Sequence, residues 1–334
     1  MRTRPADLPD ALIRATVGDG WALETTAVEH RPVGFGSHHW SIRAGDGTRW
    51  FLTVDDLDAK QCVADDDRDA ARSRLRNALI AARAARDASA DFVVAPIPTR
   101  AGQVLHELSD RYAAALYPHI DGRTDDWGQE RSDSDRAAVL ELLVRLHTLP
   151  EAVAARADPD EPTVPHRHEL ERAIDDLGER WTAGPHAGAA RALLDRHAAG
   201  VVRMLAHHDR LASRVRARPD RLVLTHGEPH PGNTIHTSTG PLLVDWDTAR
   251  RAPPERDLWM LGDDAATSPA YETATGRTVL AEVMELYRLD WDLSEIAIYI
   301  RQFRSPHGDS ADERIARFGL EEHLDPAGRW PQLR

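Results

Sequence analysis

The chain has 334 residues, and its 55 acidic side chains outnumber the 42 Lys and Arg, which gives a formal net charge of −13. This balance argues against nucleic-acid binding, because that depends on cationic side chains that neutralise phosphates. It suits a small cationic partner, although solubility alone explains an acidic surface equally well.

Three further features set the expected location and size class. No apolar run approaches the ~20 residues of a membrane span, and the N-terminus lacks the apolar segment of a secretory signal. The single cysteine, Cys62, excludes an internal disulfide framework. We therefore expect a cytoplasmic protein without membrane partners, long enough for two lobes. Its oligomeric state is not indicated.

The first part of the chain, up to residue 117, alternates short apolar segments with turns. The patterns predict strands at 25–33, 40–43, 49–54, 93–96, 104–107 and 112–117. The Ala/Arg-rich stretch 65–88 carries Leu75, Leu79 and Ile80 on one face, which predicts one amphipathic helix. Together these elements predict a small antiparallel sheet with a helix.

The remainder has helical periodicity. Helices are predicted at 134–149, 169–181, 187–205, 278–287 and 293–303, a Pro-rich loop at 158–168, and a loose tail over the last dozen residues. The two parts join at 118–122. The fold class is therefore predicted as α+β, with an N-terminal lobe at 1–117 and a C-terminal lobe at 118–334.

The most informative segment is 225–233, together with the strand that follows it. Phosphoryl transfer needs a carboxylate aimed at the acceptor hydroxyl and oxygen ligands that hold Mg²⁺ against the nucleotide phosphates. Glu228 supplies the carboxylate on a tight Pro/Gly loop, and Asn233 and Asp245 supply oxygen ligands. The apolar run 241–244 follows a Ser-Thr-Gly turn, so a hairpin is expected to deliver Asp245 to the same place.

This segment resembles the aminoglycoside phosphotransferase family, a branch of the protein-kinase-like fold. The family's loop is His-x-Asp-x-x-x-x-Asn, and this chain has His226, Glu228 and Asn233, with Glu in place of Asp. The run after Val244 is most similar to the spectinomycin-kinase-like subgroup, and the resemblance extends from about residue 28 to 289. It implies a bilobal fold, ATP and Mg²⁺ as cofactors, and a catalytic loop that contains Glu228 and His226.

The nucleotide-binding residues are predicted at two places. A turn with two glycines lies between strands, where backbone N–H groups can cover phosphates, although many ordinary hairpins also contain glycine. The junction at 118–122 is where a kinase-like hinge contacts adenine. The predicted residues are Gly34, Gly36, Ser37 and His38 in the turn and Pro118, His119, Ile120 and Asp121 at the junction.

One departure from the family concerns the lysine that contacts the phosphates and pairs with a helix glutamate. Its expected position is Thr53, and the helix predicted at 65–88 contains no Glu. The nucleotide site is therefore either rebuilt or lost. Candidates for the missing cation are Lys60, the only lysine of the chain, and the helix arginines Arg68, Arg72, Arg74 and Arg76.

Further acidic residues have open roles. Asp247 fits either a place near a second metal or the acceptor, or a turn cap. Asp257 is predicted to fix the loop backbone. The acceptor pocket is expected between the catalytic loop and the late helices, with Trp291, Asp292 and Glu295 in its wall.

The sequence therefore predicts a kinase that moves the ATP γ-phosphoryl group to a hydroxyl of a small polar molecule. The resemblance implies an aminoglycoside, an aminocyclitol or another antibiotic. Two alternatives remain open. One is a weak or inactive kinase-like binding protein, favoured by Thr53, the absent helix glutamate and Glu228. The other is a kinase of a primary-metabolite alcohol.

Overall fold

The computed structural model describes residues 2–63, 65–262 and 265–333. Its strands are β1 (Thr25–Arg31), β2 (Ser37–Ala44), β3 (Arg49–Asp56), β4 (His106–Glu107), β5 (Tyr112–Pro118), β6 (Arg123–Thr124), β7 (Val223–Thr225), β8 (Thr234–Thr237), β9 (Gly240–Leu243) and β10 (Arg250–Ala252). Its helices are α1 (Asp10–Trp21), α2 (Arg68–Asp87), α3 (Asp133–His147), α4 (Glu151–Ala154), α5 (Arg167–Asp175), α6 (Ala187–Arg216), α7 (Glu255–Leu258), α8 (Thr267–Thr275), α9 (Ala281–Arg304), α10 (Ala311–His323) and α11 (Pro326–Arg329).

The N-terminal sheet is antiparallel, with the strand order β1-β2-β3-β5-β4. Successive side chains of a strand point to opposite faces, and β5 illustrates this. Tyr112, Ala114 and Leu116 pack in a cluster with α1, whereas Ala113 and Ala115 pack in a second cluster with α2. The predicted small sheet with a helix is confirmed, and both faces of the sheet are covered.

One predicted strand, 93–96, is wrong. Val93 forms only an isolated bridge with Leu243, and the N–H of Val94 donates to the carbonyl of the same residue. The N–H of Ile97 instead donates to Leu116. The segment divides its backbone hydrogen bonds between two elements, so it does not form a continuous ladder.

Several helices differ from the prediction. Helix α1 was not predicted, because its two glycines, Gly18 and Gly20, are poor helix formers. Helix α9 is continuous across the predicted break at 288–292. Helix α10 begins with a capping box formed by Ser310 and Glu313. The expected loose tail contains α11 and the buried Trp330.

The chain forms two compact units. Unit 1 comprises Met1–Gln61, Asp67–Asp160 and Asp220–Leu280, and unit 2 comprises Cys62–Asp66, Glu161–Pro219 and Ala281–Arg334. Unit 1 contains the sheet and the segments around the predicted catalytic loop. Unit 2 has its own apolar core, built mainly from α5, α6, α9 and α10. The lobe boundary expected at 117/118 is a different division and stays a prediction.

Among the described residues, none of the helices has the length and apolar character to cross a membrane.

Candidate active site

Two short β structures in unit 1 fix the segment that contains the predicted catalytic residues. Strand β7 pairs with β10, and the loop that follows it leads into the β8–β9 hairpin. The predicted hairpin is confirmed. The N–H of Val244 donates to the carbonyl of Asn233 across 3.0 Å, so the residue before Asp245 is tied to the end of the loop.

The carboxylate of Asp257 holds the start of this loop. It accepts the backbone N–H groups of His226 at 2.8 Å and Gly227 at 2.6 Å, and it lies 3.0 Å from the Nε2 atom of His147. Asp257 is fully buried. The predicted role of Asp257 in fixing the loop backbone is confirmed.

Gly227 is the residue that lets the chain turn at this point. Its φ is +101°, and a Cβ placed there would lie 2.4 Å from the Nη1 atom of Arg256. That guanidinium binds the Thr225 hydroxyl and the carbonyl of Thr248. Only glycine combines this backbone conformation with such close contact.

The ring of His226 connects the loop to the hairpin. Its Nε2 lies 2.9 Å from the carbonyl oxygen of Val244, and its Nδ1 lies 3.2 Å from the backbone nitrogen of Glu228. These contacts fit a neutral ring that donates from Nε2 and accepts at Nδ1. Burial lowers the pKa of His226, which favours that neutral form. The ring therefore positions the loop.

Glu228 and Asn233 face each other within the loop. The Nδ2 atom of Asn233 donates to the carbonyl oxygen of Glu228 at 3.1 Å, which leaves Oδ1 as the atom suited to a cation. The Glu228 side chain is about one-third exposed, with a relative accessibility of 31%. The nearby His230 ring lies 3.9 Å from its carboxylate, and burial lowers the pKa of His230 to about 3, so that ring is neutral.

Asp245 has a strained backbone, with a φ of +66°. A non-glycine residue in this region costs of the order of 1 kcal/mol, and such residues cluster at functional sites. Water reaches the side chain, yet the protein atoms around it remove part of its hydration. This desolvation and the negative charges of Asp247 and Glu228 raise the pKa of Asp245 well above its usual range.

Lys60 lies between two carboxylates, those of Asp55 and Asp247. Its Nζ is 3.2 Å from the Oδ1 atom of Asp55 and forms a close ion pair with Asp247. Burial opposes its charge, but the carboxylates, Asp247 foremost, hold the pKa of Lys60 well above its usual value. The Ser37 hydroxyl donates to Asp55 at 2.6 Å. Asp247 is therefore ion-paired with Lys60. The roles predicted for Asp247, either a contact with a second metal or the acceptor, or a turn cap, stay predictions.

Comparison with known proteins identifies the family. The model of the phosphotransferase enzyme family matches residues 31–299. The chain belongs to this family. It is therefore a phosphotransferase-family kinase, and the resemblance found in the sequence is confirmed.

Other comparisons agree with this assignment. Protein StrN of Streptomyces griseus is 30% identical over 243 residues, which are 68% of this chain and 71% of StrN. A spectinomycin phosphotransferase solved with ADP and spectinomycin has a TM-score of 0.73 at 14% identity, covering 97% of this chain and 98% of its own. The choline kinase LicA of Streptococcus pneumoniae has a TM-score of 0.57 at 13% identity, covering 96% and 99%. These structures confirm the predicted protein-kinase-like fold.

The position of the family's strand lysine is filled differently in this kinase. Thr53 faces a neighbouring strand, with its hydroxyl 3.3 Å from the Nδ1 atom of His39. The helix arginines pair elsewhere: Arg68 with Asp58, and both Arg72 and Arg76 with Glu107. Arg74 donates to the carbonyl of Lys60. Lys60 is thus the candidate cation that the fold brings beside Asp245 and Asp247.

The turn that contains Gly34 and Gly36 has the left-handed backbone conformation that glycine favours. Gly34 and Gly36 have φ values of +71° and +89°. Ser37 and His38 follow at the start of β2, and both side chains are buried, with exposed fractions of 5% and 3%. Because the Ser37 hydroxyl donates to Asp55, its side chain is already engaged within the protein. The backbone of the turn remains the predicted contact.

The predicted hinge, 118–121, is tied to β3. Pro118 ends β5 opposite Trp50, and the N–H of His119 donates to the carbonyl of Arg49 at 3.2 Å. The Asp121 carboxylate forms an ion pair with the guanidinium of Arg49. These contacts fix the course of the segment. Its contact with adenine, including that of Ile120, stays a prediction.

The expected wall residues of the acceptor pocket lie on α9 in unit 2. Asp292 is 1% exposed and accepts hydrogen bonds from His323, Arg329 and Trp330. A carboxylate buried in this way does not line an open pocket, so the role predicted for Asp292 is wrong. Glu295 accepts the hydroxyl of Tyr299. Trp291 is half-buried, and the roles of Trp291 and Glu295 stay predictions.

Sequence reasoning overlooked the segment 125–131. The ring of Trp127 lies edge-on to His230, with centroids 4.5 Å apart, and 46% of Trp127 is exposed. The Nη2 atom of Arg131 donates to the carbonyl of Pro229 at 2.6 Å. This segment therefore packs on the predicted catalytic loop at Pro229 and His230, next to Glu228. The only signal in the sequence was a tryptophan within a polar stretch.

Proposed function

We propose that this kinase transfers the γ-phosphoryl group of ATP to a hydroxyl of a small cationic molecule, an aminoglycoside, an aminocyclitol or another antibiotic. The observation that carries the proposal is the convergence of Glu228, Asn233 and Asp245. The side-chain amide of Asn233 donates to the backbone carbonyl of Glu228, and the backbone N–H of Val244, the residue before Asp245, donates to the carbonyl of Asn233. These contacts support a site in which a carboxylate for the acceptor and oxygen ligands for a cation act together.

The donor atoms fit Mg²⁺ as the metal. Magnesium prefers oxygen ligands and is usually bound by one or two protein groups together with substrate phosphates. Asn233 offers an amide oxygen and Asp245 an exposed carboxylate. When bound, the metal would neutralise charge on the nucleotide phosphates. We infer that these two residues hold it, as the sequence predicted.

Glu228 is proposed to orient the acceptor. Its carboxylate accepts the hydroxyl proton as the acceptor oxygen bonds to the γ-phosphorus and the bond to the ADP oxygen breaks. Glutamate extends roughly 1 Å further than the aspartate of the family, and a misplacement of that size costs ~100-fold when nothing compensates. Because the transition state is loose, orientation matters more than basicity, so a repositioned carboxylate remains competent.

The proposed class of acceptor rests on the net charge of the chain and on its similarity to solved kinases. The net charge of −13 favours a cationic acceptor, and the spectinomycin phosphotransferase shares the fold over nearly the whole chain. The choline kinase likeness is the observation that favours the second candidate, phosphorylation of a primary-metabolite alcohol. Either reaction consumes ATP, which fits the expected cytoplasmic location.

The test is ATP consumption with a panel of aminocyclitols, aminoglycosides, other antibiotics and amino alcohols, with products checked for the mass of one added phosphate. We expect one class to be phosphorylated and Glu228→Ala to lower kcat by about 100-fold or more. Glu130→Ala removes an exposed carboxylate from the neighbouring segment and serves as the matched control.

Two results would count against the proposal. Full activity of Glu228→Ala would remove Glu228 from its role. Absence of ATP consumption with every acceptor, together with no change of melting temperature on adding ATP and Mg²⁺, would favour the inactive binding protein.

A further inference from the structure

The proposed reaction needs a cation at the nucleotide phosphates, and the usual position for it holds none. Thr53 carries no charge, and its hydroxyl lies 3.3 Å from the ring of His39. Helix α2, which packs on one face of the sheet, has no glutamate to hold a strand lysine. The cation and its anchoring carboxylate must therefore come from other elements.

Lys60 has the placement that this task requires. It lies four residues beyond the end of β3, and its Nζ is 3.2 Å from Asp55, the penultimate residue of that strand. The other partner of the ammonium is Asp247, two residues after the proposed metal ligand Asp245. The ammonium thus lies where the end of β3 meets the metal-binding segment of unit 1.

The glycine turn approaches the same ammonium. A Cβ on Gly36 would lie 4.0 Å from the Nζ atom of Lys60. A larger side chain at this position would extend toward that atom, whereas glycine leaves the approach open. The side chain of Lys60 keeps 22% of its surface exposed. A phosphate under the turn would therefore meet the ammonium directly.

We propose that Lys60 is the phosphate-binding cation of this kinase and that Asp55, anchored by Ser37, holds it in place of a helix glutamate. This inference rests on the proposed function, because it assumes a nucleotide in the site. Asp55 and Ser37 are positioning residues: Asp55 binds the ammonium, and the Ser37 hydroxyl binds Asp55 at 2.6 Å. Phosphate oxygens would then share the ammonium that Asp247 occupies in the free protein.

Nucleotide binding by calorimetry tests the proposal. Lys60→Met should raise the Kd of ATP by about tenfold to a hundredfold, the usual range for a lost hydrogen bond to a charged group. The Kd of adenosine should stay within about threefold of wild type, because adenosine has no phosphate. Arg76→Met removes a cation that is paired with Glu107 and should leave both constants unchanged.

Asp55→Asn keeps the ammonium and loosens its anchor. We expect a smaller rise in the Kd of ATP than for Lys60→Met, with the Kd of adenosine again unchanged. A purely structural role of Asp55 would instead weaken the binding of both ligands together. That result would overturn the positioning role.

A second measurement uses the unaltered protein and so does not depend on the folding of a variant. Lys60 is the only lysine of the chain, so an ATP derivative with an acyl group on its terminal phosphate has a single lysine side chain to modify. We expect peptide mapping to find the acyl group on Lys60 and excess ATP to prevent it.

The outcomes separate this inference from the proposed function. If wild type binds ATP but Lys60 is not acylated, or if Lys60→Met weakens ATP and adenosine equally, the assignment of Lys60 is overturned while the kinase proposal stands. If wild type does not bind ATP at all, the proposed function itself falls, and the role of Lys60 falls with it.

Discussion

The backbone N–H of His226 donates to the Oδ2 atom of Asp257 across 2.8 Å, in a part of unit 1 that is closed to water. The same carboxylate receives the N–H of Gly227 and the ring of His147. Three donors from two separate chain segments therefore depend on one buried side chain. The position of Glu228, one residue beyond, depends on it indirectly.

Asp257→Ala should lower the free energy of unfolding by about 3–5 kcal/mol, because it leaves these donors buried without an acceptor. Burial alone would raise the pKa of Asp257, but the hydrogen bond and charge of His147 outweigh it and hold the pKa below its usual value. The Asp257 carboxylate therefore contributes stability above its unfolded pKa, and this contribution is lost as the pH falls through the folded pKa.

Denaturant unfolding at neutral and acidic pH measures both effects. The control is Asp133→Ala, because that side chain is fully exposed beside Arg136, and its effect should lie within about 0.5 kcal/mol. The prediction fails if the stability gap between Asp257→Ala and wild type does not shrink in acid.

Asp245→Asn should stabilise the ligand-free protein and should abolish its stabilisation by ATP and Mg²⁺. The pKa of Asp245 is raised in the folded state, so its stability contribution falls as the pH rises from the unfolded pKa toward the folded one. Asparagine removes the charge and tolerates the positive φ. We expect a higher melting temperature without ligand at neutral pH and no further rise on adding ATP and Mg²⁺.

Thermal melts of wild type and Asp245→Asn, each with and without ATP and Mg²⁺, test this prediction. Asp133→Asn is the charge-matched control and should respond to ligand as wild type does. A ligand-induced rise in Asp245→Asn equal to that of wild type would remove Asp245 from the metal site.

The loop at 225–233 and the hairpin after it were predictable because short-range chemistry sets their backbone. Glu228, Asn233 and Asp245 belong to one short stretch of the sequence, and the hairpin turn between Asn233 and Asp245 brings Val244 back to the carbonyl of Asn233. Lys60 shows the opposite case. It is separated from Asp247 by 187 positions, and no local pattern distinguishes it from the helix arginines.

Tertiary packing also overrode the local signals in the late helices. Asp292 interrupts the apolar pattern of α9, which suggested a break and an exposed role. In the folded protein its carboxylate is satisfied by His323 and Trp330, which are 31 and 38 positions further along. The helix therefore continues, and the C-terminal segment that looked loose is held in place by the same acid.

Asp292→Ala tests this structural role. It should lower the free energy of unfolding by about 3–5 kcal/mol, because it leaves the buried groups of His323 and Trp330 without their acceptor. The Kd of ATP, measured below the onset of unfolding, should be unchanged. Glu321→Ala, which removes an exposed carboxylate paired with Arg317 on α10, is the control. A normal melting temperature with a raised acceptor KM would restore Asp292 to the acceptor pocket.

Trp127→Ala should affect the acceptor more than the nucleotide. The exposed ring lies edge-on to His230, whose own ring is 3.9 Å from the Glu228 carboxylate. A cationic acceptor held near Glu228 would therefore pass this aromatic face, and a cation over a tryptophan contributes about 0.5–2 kcal/mol. We expect the acceptor KM to rise by roughly threefold to thirtyfold, with the KM of ATP unchanged. Trp127→Phe keeps an aromatic face and should lose less. Equal effects of both variants on the two KM values would instead assign Trp127 to support of the loop.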